Sequence, residues 1–312
     1  MNSMMFKAIF VAAAAFAIPF SSIASPQPAA KPKVALVMKS LANEFFLTME
    51  NGAKEYQKLN SAKFDLIANG IKDETDTANQ IKIIEQMIAS KVNAIVLAPS
   101  DSKALAPVVK RAMDSGIVVI NIDNRLDDGV LKQKGLNVPF VGPDNRKGAQ
   151  KVGEYLAKQL KAGDKVAIVE GITTSFNAQQ RTNGFQDAMQ AAGVKVVSVQ
   201  SGEWEIDKAN KVAAAILSEH RDIKAILCGN DNMALGAVAA VKSANKTGQV
   251  KVVGYDNISA IKPMLADGRV VATADQYAAK QAVFGIETAL KAISEKKPQS
   301  PLIETPVDLV TK

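Results

Sequence analysis

The sequence predicts an α/β protein built as two doubly wound, parallel-sheet lobes joined by a multi-strand hinge. Two observations carry that prediction. Short β-branched runs alternate with longer helical patterns from residue 33 onward, and the alternation restarts on the same plan after Asp144. Strand–helix–strand alternation implies parallel strands with helices on both sheet faces. A third observation is a faint internal repeat. "VNAIVLAPSDSKAL" (92–105) resembles "IKAILCGNDNMAL" (223–235), and each leads through a helix and a strand to a closing pair, "NIDN" (121–124) or "GYDN" (254–257).

The segment before the first strand belongs to neither lobe. Lys7 is its only charge, and "AIFVAAAAFAIPF" (8–20) is an apolar run of 13 residues, too short to span a bilayer. Ser22 and Ala24 follow at the spacing of a signal peptidase site, which predicts a signal peptide over 1–24 and an extracytoplasmic, periplasmic protein. No cysteine lies there to carry a lipid. "SPQPAAKP" (25–32) reads as a flexible lead-in.

The first series of strands is "VALVM" (34–38), "FDLIA" (64–68), "AIVLA" (94–98), "IVVINI" (117–122) and "PFVG" (139–142). Between the second and third, residues 76–90 place Ile81, Ile84 and Ile88 on one helical face. The second series is "KVAIVE" (165–170), "VKVVSV" (194–199), "KAILC" (224–228), "VKVVG" (250–254) and "VVATAD" (270–275). The single cysteine, Cys228, falls in an apolar run and reads as a small buried hydrophobe. One cysteine and one histidine leave no His/Cys metal cluster and little room for a Ser-His-Asp arrangement. The net charge of +7 is scattered without a basic block, so a solvated surface explains it better than nucleic acid does.

Open α/β sheets bind ligands at the carboxyl ends of their strands. Collected there are Lys39, Asn43, Phe45, Phe46, Asp123, Asn124 and Arg125 from the first half. The second half adds Phe176, Arg181, Trp204, Asn230, Asp231, Tyr255, Asp256 and Gln276. A polyhydroxylated ring suits this set. Carboxylates accept from neighbouring hydroxyls, Arg, Lys and Asn supply donors, and aromatic rings cover the C–H faces. A phosphate would call for a Gly-rich helix start, and neither G-x-G-x-x-G nor a P-loop is present. An amino acid ligand would call for more Ser, Thr and backbone N–H groups. Structural roles compete at several positions. Asp101 and Asp231 stand between helix capping and the site, one of Phe45 and Phe46 reads as core, and Arg181 or Trp204 could serve the surface or a loop instead.

Six motifs carry a resemblance over essentially the whole mature length: "NEFF" (43–46), "IDN" (122–124), "RTNGF" (181–185), "GNDNMALGA" (229–237), "VVGYD" (252–256) and "TADQ" (273–276). The chain resembles the periplasmic sugar-binding proteins of ABC importers of the ribose and allose type, with the type I periplasmic binding protein fold. The resemblance implies Asn43, Phe45, Phe46, Asp123, Arg181, Trp204, Asn230, Asp256 and Gln276 as sugar contacts. To these the strand-end set adds Lys39 and Asn124. It further implies an N-terminal lobe of 33–143 plus 277–304 and a C-terminal lobe of 144–276 plus 305–312, with the hinge near Gly142–Asp144, Gln276 and Glu304–Pro306. The ligand would be a monosaccharide or sugar alcohol and the partner an ABC permease. A chemoreceptor is a further candidate partner, and a monomer with no cofactor, metal or catalytic residue is expected. The chain departs from ribose binders at Glu44, where they carry Pro, and at Asn124, where they carry Arg. Lys39 and the 126–145 stretch look closer to the allose-type branch, so hexose, pentose and polyol stay open. A sugar-responsive transcription regulator shares the fold but needs a DNA-binding headpiece before the first strand. A sugar-modifying enzyme would work Asp123 and Asp256 as a carboxylate pair.

Overall fold

The computed structural model describes Met1, residues 30–297 and residues 299–312. The expected signal peptide and most of the lead-in lie outside the described residues.

β1 (Lys33–Ser40) is buried along all but its first residue, the pattern of a strand covered on both faces. It takes β2 (Asp65–Ile71) on one side and β3 (Ala94–Leu97) on the other, both parallel. β4 (Val118–Ile122), β5 (Phe140–Pro143) and β11 (Leu302–Thr305) complete a six-stranded sheet in the order β2-β1-β3-β4-β5-β11. Alternate side chains go to opposite faces. Val34, Leu36, Met38 and Val96 pack with α1 (Glu44–Leu59) and α10 (Ala278–Glu295), while Ala35, Val37, Ile95 and Leu97 pack with α2 (Thr77–Ala89) and α3 (Ala106–Asp114). A short α4 (Asp128–Gln133), capped by Asp127, fills the stretch before β5.

The second sheet repeats the plan. β6 (Lys165–Glu170) lies between β7 (Lys195–Ser201) and β8 (Ala225–Cys228), with β9 (Lys251–Val253) outside β8. Its order β7-β6-β8-β9 matches β2-β1-β3-β4, so the repeat glimpsed in the sequence is one of topology. One face carries α5 (Asn145–Ala157) and α6 (Phe176–Ala191), and the other carries α7 (Ile206–Glu219) and α8 (Asp231–Ser243). A 3-10 turn, Ser259–Ile261, leads into α9 (Lys262–Asp267). β10 (Thr273–Asp275) pairs antiparallel with β12 (Asp308–Val310) and meets β9 through a Val253–Ala272 bridge.

Every strand run read from the sequence forms a strand, although β10 starts three residues later than its run. β11 and β12 were not expected. Their residues are short and mostly exposed, so no apolar run announces them. The chain passes between the sheets after β5, after β10 and between β11 and β12. These passages turn the carboxyl ends of both sheets toward one another, and an apolar cluster continues across the gap through Phe45, Phe46, Ala178 and Trp204.

Candidate functional site

The wall from the six-stranded lobe begins where β1 ends. Lys39 is buried there, and the chain then turns at Asn43, whose Oδ1 accepts from the Phe45 N–H at 3.0 Å and caps α1. The Asn43 amide nitrogen donates to Glu74 Oε1 at 3.0 Å, and Lys39 Nζ pairs with Glu74 Oε2 at 2.8 Å. A buried ion pair is tolerable only when its oxygens are served in this way. Phe45 and Phe46 stand edge to face, with centroids 5.1 Å apart. The Lys39 ammonium sits 5.4 Å from the Phe46 ring centre and 5.2 Å from the Trp204 ring of the other lobe. Asp123 follows β4 with φ +60°, and its Oδ2 has no hydrogen-bond partner among the described residues. Burial raises its carboxyl above the usual range, against the pull of Lys39 and Arg181.

The four-stranded lobe is built around Arg181 on α6. Its Nε donates to Asn145 Oδ1 at 2.8 Å and its Nη1 to the Gly229 carbonyl at 2.9 Å. The guanidinium carbon lies 3.8 Å from the Tyr255 ring centre, and Nη1 is 3.6 Å from Asp256 Oδ1. Nη2 alone has no partner among the described residues. Asp256, at φ +121°, accepts from Gln276 Nε2 at 2.6 Å, and Gln276 is itself held by Gln281. Burial drives the Asp256 carboxyl well above its ordinary range, with Arg181 opposing. Trp204 (φ +69°) seats its indole on Gly171, where a Cβ would come within 2.1 Å of the ring.

The strand-end acids and amides divide their work differently from the sequence reading. Asn230 caps α8, accepting from the Met233 N–H at 2.9 Å and donating to the Trp204 carbonyl at 3.4 Å. Asp231, next to it, turns inward to accept from the Thr273 hydroxyl at 2.7 Å and the Ile258 N–H at 3.0 Å. Its burial pushes its carboxyl up to about 7. Gly254 leaves the room, since a Cβ there would lie 2.0 Å from Asp231 Oδ1. Asp101 accepts from the Lys103 and Ala104 N–H groups, each at 2.7 Å, and so closes a turn ahead of α3.

These walls close on a narrow gap between the two sheets. Lys39, Asn43, Phe45, Phe46 and Asp123 line it from one side, and Arg181, Trp204, Asn230, Asp256 and Gln276 from the other. All are buried. Of the residues expected at the site, Asn124 is the exception. Its Nδ2 donates to the Pro99 carbonyl at 3.0 Å, and its Oδ1 accepts from the Ser102 hydroxyl at 3.3 Å and the Asn177 N–H at 3.2 Å. That amide stands one layer behind the cavity. Arg125 pairs with Asp128 and stacks near Phe140 and Phe176, also away from it. Two lining residues were missed, Glu74 and Asn177. Glu74 sits in the polar stretch "KDETDT", which reads as plain surface. Asn177 precedes Arg181 by four residues on α6, a spacing that puts both on one helical face and could have exposed it.

Contacts across the cleft join the walls. The α6 cap residue Ser175 makes no side-chain capping bond. The first N–H groups of α6 are met instead from the opposite lobe: Phe176 N donates to Ser102 Oγ at 2.9 Å and Asn177 N to Asn124 Oδ1. At the rim, Glu44 accepts from the Ser259 and Ala260 N–H groups at 2.6 and 3.3 Å. Burial works against its charge, but these bonds and Lys262 hold its carboxyl below the usual range.

A family model described as a periplasmic binding protein domain matches residues 34–297. A D-ribose/D-allose-binding protein of Pseudomonas aeruginosa is 65% identical over 307 residues, covering 97% of this chain and 96% of that protein. A solved ABC-transporter solute-binding protein from Burkholderia multivorans, with an unknown ligand represented as α-D-erythrofuranose, is 78% identical with a TM-score of 0.89. The match covers 91% of this chain and all of that one. A periplasmic solute-binding protein from Actinobacillus succinogenes with bound D-allose is 37% identical, covers 90% of this chain and 98% of its own, and has a TM-score of 0.84.

Proposed function

This chain belongs to the periplasmic binding proteins, in their sugar-binding ribose/allose type, and from that premise we propose that it captures a monosaccharide or sugar alcohol between its lobes and hands it unchanged to an ABC permease. One observation carries the reading. Asp123 Oδ2, Asn177 Oδ1, Arg181 Nη2 and Trp204 Nε1 are all buried, all belong to cavity-lining residues, and have no hydrogen-bond partner among the described residues. Each unmet group costs about 1–3 kcal/mol, so the set is mismatched until something with both donors and acceptors enters. A polyol does this with its hydroxyls while Phe45, Phe46 and Trp204 cover its C–H faces.

The proposed contacts are Lys39, Asn43, Phe45, Phe46, Asp123, Arg181, Trp204, Asn230, Asp256 and Gln276. D-Ribose and D-allose are the first ligands to try, in view of the relatives' names. Asp123 and Asp256 serve as fixed acceptors rather than as an acid–base pair, since Asp256 already spends an oxygen on Gln276 and Arg181. The proposed lobes are 33–143 with 277–304 and 144–276 with 305–312, moving about the three passages between them. Residues 1–24 would direct export to the periplasm and be removed in the mature protein.

A thermal-shift screen followed by calorimetry tests the reading. A sugar at 100 times its Kd adds about 2.7 kcal/mol of stability, binds one per chain, and is recovered unaltered. A protein whose melting is unmoved by pentoses, hexoses and polyols alike, or which converts its sugar to product, contradicts it.

A further inference from the structure

Asn177 is buried on the cavity, yet its amide oxygen meets no partner among the described residues. Glu74, the other lining residue that the sequence did not single out, accepts from Asn43 at Oε1 and pairs with the Lys39 ammonium at Oε2. The fold therefore accounts for Glu74 but not for the Asn177 side chain. An apolar residue of similar size would serve packing better, because a stranded buried carbonyl is a net cost. Two features place this turn of α6 at the cavity. Arg181 lies one turn further along α6 and presents its free Nη2 on the same helical face. The Asn177 backbone N–H is bonded to Asn124, the residue directly after Asp123, so closure brings this turn of α6 beside the Asp123 end of the cavity.

We infer that Asn177 is a specificity-determining residue, its amide receiving one hydroxyl of the bound sugar next to those taken by Asp123 and Arg181. This rests on the monosaccharide reading above and sharpens its substrate class. The site selects sugars fully hydroxylated at the carbon facing α6 and rejects their deoxy counterparts, which would leave the amide unmet.

The test is calorimetry on wild-type protein and Asn177→Ala, with D-ribose, D-allose and the singly deoxygenated derivatives of each. Melting of the ligand-free proteins is recorded alongside. Asn177→Ala should melt no lower than wild type, because the capping bond from Asn124 uses only the backbone. Its affinity for the parent sugar should fall about tenfold to a hundredfold. For one deoxy derivative, the one lacking the hydroxyl that Asn177 receives, variant and wild type should bind equally. Unchanged affinity for the parent sugar overturns the inference, as does an equal loss across every derivative, which would mark a general effect on α6. Wild-type protein that binds none of the parent sugars rejects the reading on which the inference rests; wild-type binding with an indifferent variant rejects the inference alone.

Discussion

The two walls of the cleft meet the same cavity in opposite states of completion. On the six-stranded side, Lys39, Glu74 and Asn43 bind one another, Glu74 Oε2 through the Lys39 ion pair only, and Asp123 Oδ2 has neither a hydrogen bond nor an ion pair among the described residues. On the four-stranded side, Arg181, Asn177 and Trp204 each keep a buried atom with no partner among the described residues, and the first N–H groups of α6 depend on the other lobe. The first wall is largely bound to itself. The second is a held-open hand, rigid in its supports and unsatisfied at its tips. Affinity should therefore be dominated by the second wall.

Substitution of Arg181 offers the largest test of that asymmetry. Arg181→Ala removes the Nη2 donor from the cavity together with the support of Asp256, the Gly229 carbonyl and Asn145, and should cost about 2–5 kcal/mol of binding. Arg181→Lys should lose nearly as much binding, since an ammonium cannot reach Asn145 and Gly229 while leaving a third donor for the ligand. Native affinity in the lysine variant, measured by calorimetry, would show that positive charge alone, and not the planar fork, serves the ligand.

Asp123→Asn comes next, at about 1.5–3 kcal/mol of lost binding. Its effect on stability should have the opposite sign. The folded protein raises this carboxyl above its unfolded value, so the charged form disfavours the fold, and that penalty grows as pH rises from the unfolded pKa through the folded one. The amide should melt higher than wild type at neutral pH, with the gain fading in acid. A lower melting temperature at pH 7 would mean that Asp123 supports the first wall rather than standing open in it.

Asn124→Ala and Ser102→Ala remove the caps that one lobe lends to the other. Each should cost about 0.5–2 kcal/mol of ligand affinity, the usual worth of a cap. Ligand-free melting should barely change, because water can serve the α6 N–H groups when the lobes part. Equal losses in melting and affinity would show that these bonds belong to the resting fold.

The smallest effect is expected at Glu44→Gln, about 0.2–1 kcal/mol for a rim contact. Contact with Ser259 and Ala260 lowers the Glu44 carboxyl, so its contribution to closure is complete above its ordinary pKa and is lost as pH falls through the lowered one. The affinity gap between Glu44→Gln and wild type should be widest near pH 7 and close toward pH 3. A gap that widened in acid would reverse the sign assigned here.

Legibility of all this from the residues was uneven, for physical reasons. β1 announces itself because a strand covered on both faces must be apolar almost throughout, whereas β11 and β12 lie at edges where exposure permits nearly any residue. Strand ends collect binding groups by topology, so Asp123, Arg181 and Asp256 could be gathered before any contact was known. Asn124 misled because its neighbour Asp123 reaches the cavity: consecutive side chains at a strand end diverge, and the second of them caps a helix of the other lobe. Glu74 was hidden because a buried acid and an exposed one are spelled alike. Only the ammonium of Lys39, distant in sequence, tells them apart.

The bond from Asn124 to the backbone of Asn177 bears on how such a protein changes diet. Recognition of the main chain is blind to the side chain that hangs from it, so position 177 keeps its place in the cleft with any residue that retains a backbone N–H. A lineage can then trial side chains there singly, each presented to the ligand by the same inherited mount, without renegotiating how the lobes meet. Taste and grip would be separately heritable in this arrangement, with preference free to wander by single steps.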